Sequence, residues 1–65
     1  MGNKLPYWVT KNRKAVKEAW HDDDGYWVQL KPGYIFSDYH STIIGQDTIA
    51  EIKEQLATIE KGEPW

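Results

Sequence analysis

The densest cluster of reactive side chains is His21-Asp22-Asp23-Asp24-Gly25, where three carboxylates adjoin an imidazole. A cation is the first chemistry such a cluster suggests. Calcium, however, takes about six to eight oxygens, and its helix-loop-helix site spaces acids at alternate positions before a glutamate at the twelfth. Here the acids are contiguous, and the twelfth position counted from Asp22 is Gly33. Contiguous carboxylates on an extended chain point to opposite sides, whereas a hairpin reversal calls for Asp and Gly. The cluster reads as a turn, and no metal site is expected.

His21 and His40 are the only imidazoles that could serve as a general base. Ser37 and Ser41 lie near His40 in sequence, but nearness in sequence does not build a triad. There is no cysteine and no Gly-x-Ser-x-Gly elbow. Glycine-rich phosphate loops are absent as well, Gly33 and Gly45 being isolated. No catalytic residue, enzymatic activity or cofactor is expected.

Two features remain that could bind. In Lys11-Asn12-Arg13-Lys14-Ala15-Val16-Lys17 four cations fall within seven residues, just after Tyr7 and Trp8. Lys11, Arg13, Lys14 and Lys17 could track phosphates while the rings stack on bases. Opposing this, residues 21–65 carry three cations against nine acids, and the sequence pI is about 5.5, on the wrong side for a nucleic-acid-binding domain. The second feature is the aromatic load, four Trp, four Tyr and one Phe in 65 residues. Large rings supply buried area economically in a short chain, yet a sheet covered by one helix leaves its other face in need of shelter. Trp8, Trp27, Tyr34, Tyr39 and Trp65 are the candidates for contact with a partner.

The elements that must position these groups are legible in outline. Ile49, Ile52, Leu56 and Ile59 form one helical stripe. Thr48 and Glu51 fit a capping box, Lys61 suits the negative end of the dipole, and Gly62 and Pro64 suit termination. The spacing predicts a helix over 48–61. Tyr26–Leu30, Tyr34–Phe36 and Ser41–Ile44 read as strands, with a turn at Lys31-Pro32-Gly33-Tyr34 and Gly45 as a breaker.

Residues 14–21 fit either periodicity. As a helix they would place Lys11, Arg13 and Lys14 at the positive end of the dipole and the three aspartates at the negative end, both unfavourable. Strand is therefore preferred. A three-residue loop Asp23-Asp24-Gly25 would set Trp20 opposite Val28. Val16, Trp20, Tyr26, Val28 and Leu30 would then share one face, and Lys17, Ala19, His21, Trp27 and Gln29 the other. Residues 1–13 read as a tether over the core, an edge strand or part of an interface.

A chain of 65 residues holds one core. The absence of cysteine removes disulfides and thiolate zinc sites. No apolar run approaches the roughly 20 residues of a membrane span, and Met1–Pro6 has no signal-like apolar run. A cytoplasmic location and no membrane partner are expected.

The stretch Asp24-Gly25-Tyr26-Trp27-Val28-Gln29-Leu30-Lys31-Pro32-Gly33-Tyr34 resembles a pattern in short, uncharacterised proteins of bacterial and phage genomes. In those, a strand of Asp-Gly-Tyr-Trp type and a Gly-Tyr/Trp turn precede a His-x-Ile…Asp-Thr helix entry, here His40 to Thr48. The resemblance covers about residues 22–60. It implies a hairpin-then-helix order and a small accessory protein, and brings no activity with it.

The combined expectation is an α+β domain: a β-meander over 14–44 in an antiparallel sheet of three to four strands, with one C-terminal amphipathic helix on one face. Its expected function is non-enzymatic interaction with a protein partner or a second copy as a homodimer. Nucleic-acid contact through the basic segment is the alternative.

Overall fold

A computed structural model describes residues 5–63. The fold is α+β. Strands β1 (Val16–Asp22), β2 (Gly25–Leu30), β3 (Tyr34–Phe36), β4 (Ile43–Gln46) and β5 (Ile59–Lys61) are joined by one helix, α1 (Ile49–Leu56), which follows β4. A three-stranded antiparallel sheet has the order β1-β2-β4, and β3 pairs with β5 in a second, two-stranded sheet.

Strand is thus the state of Val16–Asp22, with Arg13–Ala15 a short 3-10 turn before it. The meander expectation is corrected in one respect: β3 does not lie between its sequence neighbours. The Pro32-Gly33 turn, with Gly33 at φ +93° and Tyr34 N–H donating to the Lys31 carbonyl, sends the chain off the first sheet. The chain rejoins that sheet only at β4, which runs through Gly45 rather than stopping at it.

The hairpin is tighter than the three-residue loop expected from sequence. Asp22 pairs with Gly25, so the loop is Asp23 and Asp24 alone, and Trp20 pairs with Trp27 rather than with Val28. One residue of register exchanges the two faces of a strand. Ala19, opposite Val28, therefore turns to the core, and Trp20 turns away from it. Strict alternation from Ala19 would then point Lys17 inward. A bulge between Val16 and Glu18 restores the phase, so that Val16 meets Leu30 in the core and Lys17 stays exposed.

The helix begins as the sequence predicts. Thr48 Oγ1 accepts from the Glu51 amide at 3.2 Å and donates to Glu51 Oε1 at 3.0 Å. It stops at Leu56, well before residue 61. The Thr58 amide and hydroxyl both donate to the Gln55 carbonyl, and the Asn12 side-chain amide donates to the Leu56 carbonyl at 2.7 Å. These bonds occupy acceptors that another helical turn would have used. Ile59–Lys61 then supplies the ladder that β3 lacks: Phe36 pairs with Ile59 and Tyr34 with Lys61. Ile59 packs on the core from a strand rather than from the helix.

The core gathers Trp8, Val9, Val16, Val28, Leu30, Phe36, Ile52 and Leu56. Of the segment before β1, residues 5–12 form no strand and run over the core face. Trp8, 3% exposed, sets its ring edge-on to Tyr26 at 5.4 Å and 88°. Helix and N-terminal segment thus shelter the same face of the sheet. Asn12 joins the two, at φ 55° and ψ 35°, a left-handed conformation that asparagine tolerates better than other side chains.

Asn12→Ala should therefore lose both the tolerated backbone geometry, about 1–2 kcal/mol, and a hydrogen bond worth about 1 kcal/mol. Asn12→Gly should lose mainly the second. Urea denaturation of the two variants checks this order; equal destabilisation by Ala and Gly would contradict it.

Candidate functional site

The face of the three-stranded sheet opposite the core carries two cross-strand rows. Trp20, Trp27 and Gly45 form one, from β1 through β2 to β4, and Glu18, Gln29 and Ile43 form the other. Trp20 and Trp27 stack with centroids 6.4 Å apart and planes 17° from parallel. Trp20 is 37% exposed and Ile43 45%, while Trp27 is half-buried. A three-residue loop would put the two indoles on opposite faces; the two-residue loop puts them on one.

Trp27 is braced at both ends. Its indole N–H donates to Asp22 Oδ1 at 3.0 Å. Its benzo ring lies over Gly45, where a Cβ would overlap Cζ3 and sit 2.5 Å from Cε3. Asp22 Oδ1 also accepts from the Asp24 amide at 2.9 Å, so one carboxylate closes the turn and orients the indole. The indole bond, followed by the Asp24 amide, holds the Asp22 carboxyl below the usual carboxylate range. Both bonds favour the charged form.

The remaining sequence-derived candidates disperse. Trp8 is enclosed in the core and leaves the set of contact residues. Tyr34 opens β3, half-buried, and Tyr39 is 56% exposed in the loop beyond that strand. Neither belongs to the two rows, and Trp65 lies outside the described residues. Trp20 and Ile43, which the sequence reading did not select, replace them. The signal that would have found Trp20 is the parity of the hairpin loop. For Ile43 it is the continuation of β4 through Gly45.

Of the basic segment, Arg13 and Lys14 line an open cleft with Thr10, Asn12, Ala15 and Tyr34. Lys11 is exposed outside it, and Lys17 is exposed at the bulge of β1.

The groups that suggested reaction chemistry have local roles. Ser41 Oγ donates to the Ile43 carbonyl and accepts from the Ile43 amide. His21 stacks on Tyr26 at 4.9 Å. His40, at φ 50°, donates its backbone N–H to the Phe36 carbonyl. Among the described residues no group of three or more His, Cys, Asp or Glu could hold a metal ion, and no helix is long and apolar enough to cross a membrane. No family model, curated protein or solved structure matches the chain.

Two expectations follow for the braced indole. Gly45→Ala should cost about 1–3 kcal/mol by overpacking and shift the Trp27 indole N–H resonance; unchanged stability and an unchanged resonance would rule out the close approach. Asp22 should titrate, by carboxyl NMR, below the ordinary value of about 3.9, and Trp27→Phe should raise it. A group lowered in the folded state stabilises the fold above its unfolded pKa and loses that contribution as pH falls through the folded value. The stability of Trp27→Phe should therefore fall less on acidification than that of the parent chain.

Proposed function

We propose that this chain is a small non-enzymatic interaction module that docks a protein partner on the outer sheet face through Trp20, Trp27 and Ile43. The observation that carries this reading is the stacked indole pair, held against Gly45 and Asp22 on the sheet face opposite the one that, among the described residues, α1 and residues 5–12 cover. Exposed indoles are costly in water and recur at the centres of interfaces. The brace on Trp27 lowers the ordering cost of binding.

The face is favoured over the sheet edges. β1 is an edge strand of seven residues, but its Lys17 bulge and the charged side chains of Glu18 and Asp22 are features that discourage edge-to-edge pairing. β4, the other edge, has four residues. A second copy of this chain is the first partner to test, because a shared apolar face can be self-complementary about a two-fold axis.

Sedimentation velocity from micromolar to millimolar concentration reads the outcome. Association that grows with concentration, disappears in Trp20→Lys and survives in Tyr39→Lys supports the outer face as a homodimer contact. A strict monomer with unchanged tryptophan emission removes self-association. Association that Trp20→Lys leaves intact overturns the choice of face.

A further inference from the structure

The cleft beside the 3-10 turn is a second feature, independent of the indole pair. It has a volume of about 400 Å³ and is lined by Thr10, Asn12, Arg13, Lys14, Ala15 and Tyr34. Ligand sites generally enclose about 300–1,000 Å³. Two of the lining side chains are cationic and none is acidic, in a protein whose formal net charge is −2. The charge of the lining is thus opposite in sign to the net charge of the chain, a reason to look for an anionic ligand there.

Its wall is tied down from three directions. The Asn12 amide donates to the Leu56 carbonyl at the end of α1, Arg13 Nη1 to the Val9 carbonyl, and the Lys31 amide to the Ala15 carbonyl at 2.8 Å. A wall held in this way loses little freedom on binding. Tyr34, half-buried at the start of β3 and packed against the core, also lines the cleft. Guanidinium and ammonium groups suit phosphate oxygens, the Thr10 hydroxyl adds a donor, and a tyrosine ring suits a planar base.

We propose that this cleft binds a nucleoside phosphate, the phosphate on Arg13 and Lys14 and the base against Tyr34. The same chemistry is offered by a free nucleotide and by one residue of a single strand. The overall acidity of the chain weakens attraction for a long polyanion, so the free nucleotide is the expected source.

The test is an amide NMR titration of the full chain with a nucleoside monophosphate, inorganic phosphate, a nucleoside and a short single-stranded oligonucleotide, at two salt concentrations. The expected result is saturable, salt-weakened shifts at Ala15 and Tyr34, with the nucleotide bound more tightly than either fragment. Lys14→Glu should weaken binding about tenfold or more, on the scale of one charge-assisted hydrogen bond. Lys53→Glu on α1, the same charge change away from the cleft, should not. Both sites are exposed, so both variants should fold, whereas Arg13 is spared because its guanidinium anchors Val9. An oligonucleotide that binds the same amides in the same Lys14-dependent way, and more tightly than the nucleotide, supports the site with a strand as its source. The proposal is overturned by an absence of shifts, by phosphate binding as tightly as nucleotide, by shifts centred on Trp20 and Trp27, or by equal affinity of Lys14→Glu and the parent chain.

Discussion

The chain reverses over Asp23 and Asp24 alone, and the pairing of Asp22 with Gly25 that results sets the register of everything β1 presents. Side chains alternate with a period of two, so loop parity decides which set faces the core. With two residues in the loop, Ala19 is the inward side chain opposite Val28, on the face where Trp8 meets Tyr26 edge-on. With three, Trp20 would take the inward place. The same carboxylate that caps the reversal, Asp22, accepts the hydrogen bond from the Trp27 indole N–H. Turn geometry and the orientation of the outer face thus share one atom.

From that register a second constraint follows. β1 must begin with Val16 in the core and yet place Trp20 outside it, which plain alternation does not allow. The bulge at Lys17 absorbs the mismatch and keeps a charged side chain in solvent. It also makes β1 a poorer template for another strand, which is why the proposed docking is assigned to the open face rather than to the edge.

The two candidate surfaces differ in how they are held. The indole pair rests on the main sheet and needs Gly45 beneath Trp27. The cationic cleft depends on long-range ties, since Asn12 reaches a carbonyl 44 residues away. The N-terminal segment therefore has two jobs in the fold: it covers the core with Trp8 and Val9, and it carries Arg13 and Lys14 to the cleft that Tyr34 also lines.

What the sequence alone determined is what local chemistry decides. The capping box at Thr48 and Glu51, the apolar stripe through Ile49, Ile52 and Leu56, the Pro32-Gly33 turn and the strand character of Tyr26–Leu30 are each set by residues within a few positions of one another. The preference for strand over helix in residues 14–21 rests on charges placed wrongly for a helix dipole; strand begins only at Val16, and Lys14 and Ala15 belong to the 3-10 turn. Tertiary structure decided what local signals leave balanced. Ile59 suits a helix by spacing and a strand by its β-branch, and the demand of β3 for a partner settled it. Gly45 suits a break or a strand, and the Trp27 ring above it settled that. Trp8 and Trp20 are alike as residues, yet one is enclosed and the other half open, because burial depends on the register and on what folds over each face, and neither is written in the neighbours of either residue.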